Sequence, residues 1–557
     1  MISEGKIYFA KTGEGLDKKI YLEPSMSVRH GFIGGATGTG KTVTLKVLAE
    51  SFSELGVPVF FSDVKGDLSG MIVPGAESDD MNERIERFKL SEDGFKFKSF
   101  PAEFYDIFGK TGIPLRTTVS EMGPSLLADV LELTDTQEDI LNVVFKIADD
   151  EELILSDTKD LKAMLQYAAE NSKEYELEYG RIAKQSVSAI VRAIVALEAE
   201  GGDTFFGEPA IDVRDFFACD ASGKGKINIL DSRTLVNKPR LYSAFMLYLL
   251  SELFESLPEI GDVEKPRMVF FFDEAHLFFD NASKALIEKT EQIIKLIRSK
   301  GIGIFFITQS PSDIPGGVMS QLGNKIEHAL RAYTPGERKA IKTAAESFRE
   351  NPDFDTEELL TQLGTGEALV SVLDADGVPG IAEHAYILPP ASTLGTASDE
   401  EVKKAVDMSN LYLKYSKEVD PDSAFEFLER RKLQIEKEEE AEKAAEEEEK
   451  AKEKAEKEAE KEREKAEKAA EKAREKAERE AEKAREKAEK EAQKEAERQK
   501  KAIERSVRSV ASTAAGSIGR QVGNQVGKKF FGSFGKSVAG NIGASLGRNI
   551  LGTLFKR

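Results

Sequence analysis

Eight consecutive residues, Gly35-Ala36-Thr37-Gly38-Thr39-Gly40-Lys41-Thr42, carry the spacing Gly-x-x-x-x-Gly-Lys-Thr. An apolar run, Phe32-Ile33, precedes them, and a helical pattern with Val43, Leu45, Val47 and Leu48 follows. The segment therefore predicts a loop that turns from a strand into the N-terminus of a helix, where backbone N–H groups and the helix dipole favour an anion. Gly38 and Gly40 let the backbone curl around phosphates with no Cβ in the way. Lys41 is placed to reach the β- and γ-phosphates, and the Thr42 hydroxyl to take a position on Mg²⁺. The expected ligand is ATP with Mg²⁺.

Hydrolysis needs a second set of groups. Met268-Val269-Phe270-Phe271-Phe272-Asp273-Glu274 reads as a buried strand ending in two acids. Asp273 is expected to hold Mg²⁺, and Glu274 to orient and deprotonate the attacking water. Ile304-Phe305-Phe306-Ile307-Thr308-Gln309 is another apolar strand with a polar end, and in a parallel sheet Gln309 emerges at the same edge as the P-loop. Asp63, Lys65 and Asp67 follow a further strand at that edge. An arginine beyond Lys41 commonly stabilises the transferring phosphoryl group, often from a neighbouring subunit. Arg298, Arg331 and Arg338 are the candidates. His276, in Asp-Glu-Ala-His, reads as a residue supporting Glu274.

These groups require a scaffold that brings several strand ends to one edge. Up to about Pro390, short β-branched and aromatic runs alternate with longer amphipathic stretches, the pattern of a parallel sheet covered by helices. The fold class is α/β: a P-loop core with a mostly parallel sheet, a helical insertion and a long charged C-terminal helix. Strands are expected at 31–34, 57–63, 226–230, 268–273, 303–308, 328–333 and 368–373. Residues 1–79 and 219–395 are assigned to the ATPase core. Residues 80–218 read as a mostly helical insertion, or as helices that belong to the core itself. A helical connector spans 396–435.

From 436 to 505 the sequence is almost wholly Glu, Lys, Arg and Ala, strong helix formers with opposite charges three and four apart. With only Ala available at core-facing positions, a solvated single helix about 100 Å long is favoured over a coiled coil. Residues 506–557 reverse the composition, with eight Lys or Arg, no Asp or Glu, and Gly519, Gly523 and Gly527 four apart. Such a tail suits self-association or an anionic membrane surface.

The net charge of −21 excludes a protein coated in basic surface, so any DNA contact must be local. The single cysteine, Cys219, excludes a disulfide framework and fits a reducing compartment, with the cytoplasm expected. No signal peptide opens the chain, and the apolar runs are far shorter than the roughly 20 residues that cross a bilayer.

Taken in order, the P-loop, Asp-Val-Lys-Gly-Asp (63 to 67), Phe-Phe-Phe-Asp-Glu-Ala-His (270 to 276), Ile-Arg-Ser-Lys-Gly (297 to 301), Thr-Gln-Ser-Pro (308 to 311), His-Ala-Leu-Arg-Ala-Tyr-Thr-Pro (328 to 335) and Gly-Glu-Ala-Leu-Val-Ser (366 to 371) form a set. The set resembles bacterial YjgR-like proteins, among the HerA-like helicase C-terminal domains of the HerA/FtsK branch. The resemblance runs from about Ser3 to Gly395. It implies a RecA-like ATPase in which Lys41, Thr42, Asp273, Glu274 and Gln309 occupy the family's ATPase positions. It also implies a homo-oligomeric ring, commonly a hexamer, with an arginine from one subunit completing the next subunit's site. HerA-type translocases carry a β-barrel before the P-loop, and the residues ahead of Gly35 are too few for one. The expected function is an ATP-driven motor acting on nucleic acid; the alternative is an ATP-dependent switch or scaffold that docks through its C-terminal tail.

Overall fold

The computed structural model describes residues 1–503 apart from 281, 283 and 333. The Gly-rich basic tail expected at 506–557 lies outside the described residues. The chain divides into two compact units, Met1–Glu440 and Ala441–Arg557.

The first unit is built on one thirteen-stranded sheet. Its strands are β1 (Ile2–Ser3), β2 (Lys6–Thr12), β3 (Lys18–Leu22), β4 (Gly31–Gly34), β5 (Val59–Asp63), β6 (Ala102–Asp106), β7 (Ile113–Pro114), β8 (Ile227–Asp231), β9 (Met268–Phe272), β10 (Ile302–Ile307), β11 (Asn324–His328), β12 (Glu367–Ser371) and β13 (Glu383–Ile387). Across the sheet the order β7-β6-β8-β5-β9-β10-β4-β11 is parallel throughout. Beyond β11 the neighbours β12, β13 and β2 run antiparallel, and β2 also pairs with β1 and β3. The P-loop follows β4, and β10 lies between β4 and the acid-bearing β9, which is the RecA-like arrangement.

The parallel strands are buried on both faces, so they read as unbroken apolar runs. Register puts Phe61, Phe271 and Phe305 side by side on β5, β9 and β10. Their rings stack with centroids 5.2 Å apart at both steps. Phe52, from the helix that starts in the P-loop (α1, Lys41–Glu54), packs on two of them at 6.3 and 6.5 Å. This aromatic row lies beneath the strand ends that carry Asp273 and Gln309.

The strand expected at 328–333 lies instead at Asn324–His328. Lys325 and Glu327 break its apolar pattern, whereas Ala329 and Leu330, which looked like strand, pack in a separate cluster with Ile341, Phe348 and Leu360. The strands β3, β6 and β13 carry too many charged or polar residues for their patterns to stand out, and β1 and β7 are only two residues long.

Within 80–218, β6 joins the sheet beside β8, and helices at 119–130, 135–150, 158–170 and 184–200 follow. Their buried faces, including Leu127, Ile140, Leu165 and Ile194, belong to the same apolar cluster as Phe271. Capping boxes at Thr118, Thr134 and Asp157 start three of these helices.

The last described element is one helix, Ala424–Ile503, 80 residues long. From 436 on its side chains, as far as they are described, face solvent. Pairs four apart support it, such as Lys452 on Glu448 at 2.8 Å and Lys450 on Glu446 at 3.0 Å. Among the described residues no helix is long and apolar enough to cross a membrane.

Candidate active site

The P-loop leaves β4 through Gly35, Gly38 and Gly40, all with positive φ, and closes into α1. Two neighbours fix it from outside: Ala36 N–H donates to the Ala329 carbonyl at 2.9 Å, and Gly366 N–H donates to the Thr39 carbonyl at 2.9 Å. Glycine is required at Gly35, where φ is +139° and a Cβ would stand 2.5 Å from His328 Cβ. Lys41 is buried and its Nζ donates to the Gly35 carbonyl at 2.6 Å and the Ala36 carbonyl at 3.1 Å. Burial, together with Lys65 nearby, pushes its pKa down, while Glu274 and Asp273 oppose that shift.

Beneath the loop, β11 supplies two buried polar side chains. His328 Nδ1 donates to the Glu367 carbonyl at 2.8 Å, so Nε2 accepts the Thr44 hydroxyl at 2.8 Å. Burial pushes the imidazole down to about 4 and keeps it neutral. Glu327 is 1% exposed, and neither carboxyl oxygen has a hydrogen-bond partner among the described residues. Burial holds its pKa well above the usual carboxylate range and so favours the protonated form. Sequence reasoning missed both roles: in Asn324–His328 only Ile326 is apolar, so nothing marked Glu327 and His328 as buried.

On the other flank, β9, β10 and β5 converge. Asp273 and Glu274 are both nearly buried, and the Glu274 N–H donates to Asp273 Oδ1 at 3.0 Å. Glu274 has φ +47°, a left-handed conformation that strains a non-glycine residue. Its carboxylate meets three side chains. Lys65 Nζ lies 2.7 Å from Oε1 and also 3.9 Å from Asp273 Oδ2. Gln309 Nε2 donates to Oε2 at 3.3 Å, and His276 Nδ1 lies 3.3 Å from Oε2. The Thr37 hydroxyl donates to Gln309 Oε1 at 3.4 Å, which links the P-loop to this group.

These contacts separate the two acids electrically. Burial pushes Asp273 up to about 6, with Lys65 opposing. Burial also acts upward on Glu274, but the Lys65 and Gln309 hydrogen bonds and Lys41 together bring its pKa below the usual value. Glu274 is therefore a carboxylate at neutral pH, able to accept a proton once Lys65 moves. Asp63 faces elsewhere: its oxygens accept the N–H groups of Lys65, Gly66 and Leu68 at 3.2, 2.7 and 3.0 Å, so it shapes the loop that presents Lys65. Asp67 acts on Asp63 and Asp273 only through its charge.

The arginine candidates are not brought to these carboxylates. Arg298 precedes β10, whereas Gln309 follows it, so Arg298 lies at the opposite edge of the sheet, about 20 Å away along the six-residue strand. Its charge acts there on the buried His30. Arg331 is exposed and donates to the Thr361 carbonyl at 2.9 Å, and Arg338 lies on the exposed side of the helix Pro335–Glu346. A cavity of about 600 Å³ opens at the ends of β5, β6 and β8, beside the Asp63 loop and away from the P-loop.

Comparison with known proteins decides the family. A family model described as "Helicase HerA-like C-terminal" matches residues 10–480. The chain belongs to that family. This HerA-like protein is a P-loop ATPase. It is 25% identical over 386 residues to the DNA double-strand break repair helicase HerA of Sulfolobus acidocaldarius, covering 66% of this chain and 67% of that one. To the protein of the same name from Saccharolobus solfataricus it is 24% identical over 367 residues, 64% of each. Among solved structures, the bacterial conjugative coupling protein TrwB matches with TM-score 0.46 and 14% identity, covering 70% of the HerA-like chain and 90% of TrwB. VirB4 of Thermoanaerobacter pseudethanolicus matches with TM-score 0.44 and 18% identity, covering 69% and 97%.

Proposed function

We propose that this ATPase is a ring-forming motor acting on DNA, in which hydrolysis waits on a stimulus that frees Glu274. The observation that carries the stimulus dependence is the Lys65–Glu274 pair at 2.7 Å. A base whose carboxylate is held by an ammonium cannot take a proton from water until that ammonium moves. Lys65 sits on a loop at the sheet edge, shaped by Asp63, where a DNA strand or a neighbouring subunit can reach it. Action on DNA is supported by family membership and by relatives named as DNA repair helicases.

In this reading Lys41 leaves its own loop carbonyls for the β- and γ-phosphates, and backbone N–H groups of Gly35 to Thr42 cradle them. The donors near the reacting end fit Mg²⁺: the Thr42 hydroxyl on the first turn of α1 and the buried Asp273 carboxylate are hard oxygen ligands, and Asp273 gains a cation that lowers its raised pKa. Mg²⁺, when bound, neutralises charge on the phosphates. Glu274 orients and deprotonates water, and Gln309 bridges Glu274 to Thr37 of the loop. Arg298 stands at the far edge of its own sheet and does not complete its own site; in this reading an arginine of a neighbouring copy, Arg298, Arg331 or Arg338, does so within a ring, commonly a hexamer. The cytoplasm is the proposed location.

Steady-state ATP hydrolysis by the full-length protein, with and without single- and double-stranded DNA, tests the reading. Stimulation of about tenfold, roughly 1.4 kcal/mol off the barrier, is expected. Lys65→Ala should raise the unstimulated rate and shrink the stimulation. Hydrolysis indifferent to DNA in both proteins rejects the DNA motor and leaves the ATPase.

A further inference from the structure

The P-loop strand has two unlike flanks. Glu274 and Gln309 stand on the β10 and β9 side, so a triphosphate on the loop must present its γ end there. The phosphate chain is linear, with β held at Lys41, and its α-phosphate and nucleoside therefore run toward the other flank, formed by β11, β12 and β13. That flank carries a cation so far without a role.

The helix Asp79–Arg87, started by Ser78 whose hydroxyl accepts the Met81 N–H at 3.2 Å, presents Arg84 and Arg87 on one face, three residues apart. Arg87 is engaged: its guanidinium lies 4.7 Å from the Tyr386 ring centroid. Tyr386 on β13 pairs with Glu367 on β12, and the Ile387 N–H donates to the Gly366 carbonyl at 2.9 Å. Arg84, half-buried, has no hydrogen-bond or ion-pair partner for its guanidinium among the described residues. It reaches the P-loop through one glycine. A Cβ on Gly366 would stand 3.1 Å from Arg84 Nη1, and a Cβ on Gly40 would stand 3.2 Å from Gly366 Cα. Gly366 is also the residue whose N–H holds the Thr39 carbonyl.

A half-buried guanidinium without a partner, set at the start of α1 on the flank away from the hydrolytic carboxylates, is matched to a planar pair of phosphate oxygens. We propose that Arg84 binds the α-phosphate of the nucleotide. The proposal rests on the reading of Lys41 and Glu274 given above, and it adds an anchor shared by ATP and ADP. Gly366 has φ +81°, and any side chain there would both strain the turn and meet the guanidinium.

Isothermal titration of the full-length protein with ADP and with a non-hydrolysable ATP analogue provides the test. Arg84→Ala should weaken both nucleotides by the same factor, about tenfold, because both carry the α-phosphate. Arg84→Lys, which keeps the charge and loses the fork, should recover part of that loss, and the thermal shift produced by saturating ADP should shrink in the same order. Equal affinities in wild type and Arg84→Ala would overturn the proposal, as would a loss confined to the ATP analogue, since that would place Arg84 at the γ end. DNA-indifferent hydrolysis combined with the expected Arg84 losses would reject the motor and keep the anchor. No nucleotide binding by the unaltered chain would overturn both.

Discussion

The sheet core and the long charged helix are held by opposite physics. Phe271 is fully buried among rings from three other elements, while the helix from 436 on buries none of its described side chains. In the core, stability comes from apolar area removed from water and is shared among residues far apart in sequence. In the helix it comes from local propensity and from pairs four apart, each worth only a few tenths of a kcal/mol. Damage in the core should therefore spread to the active site, whereas damage in the helix should remain where it is made.

The comparison can be pressed hardest at the site itself. Glu274→Gln should retain ATP binding and lower turnover by about 10²- to 10⁴-fold, the usual worth of a positioned base, as read by bound ATP against released phosphate. Undiminished turnover would move the base elsewhere. Next in size, Phe271→Ala should cost about 3 to 5 kcal/mol by urea unfolding, and it should also reduce turnover because the ring lies two residues from Asp273. If the stability falls and the turnover does not, core and site are less tightly joined than the aromatic row suggests.

A subtler break concerns charge inside the core. Burial makes Glu327 hold its proton more tightly in the folded chain than in the unfolded one, where its ordinary value is 4.5. The folded state thus binds the extra proton, and its stability contribution is present at low pH and lost as pH rises through the folded pKa. Glu327→Gln, always neutral, should match wild type near pH 4 and gain on it progressively as pH rises toward 8 in thermal unfolding. The smallest effect belongs to the helix: Lys457→Ala, which removes a pair with Glu453, should lower helicity by circular dichroism only slightly and leave the unfolding of the core unchanged.

The contrast also explains what could be read from residues alone. The P-loop, the Asp273–Glu274 strand end and the charged helix are local patterns, and each is legible within a dozen residues. The strand β11 is not, because its polar residues Glu327 and His328 are buried beneath the P-loop rather than turned to solvent, and alternation then misleads. Lys65 was visible as a residue at the right edge, but its contact with Glu274 depends on β5 and β9 lying side by side. Arg84 lay beyond reach altogether: its helix has no chemical signature, and it meets the P-loop only through Gly366, nearly three hundred residues along the chain. Arg298 precedes its strand and Gln309 follows it, so the parallel sheet that brings Gln309 to the P-loop edge puts Arg298 at the opposite one.

One last consequence follows from the backbone at Glu274. With φ +47°, this position would be occupied with less strain by glycine or asparagine. A lineage relieved of the need to hydrolyse ATP would therefore drift toward those residues and become sturdier as it did so. On the proposed role of Glu274 as the base, its replacement in a relative would mark an engine that has been retired.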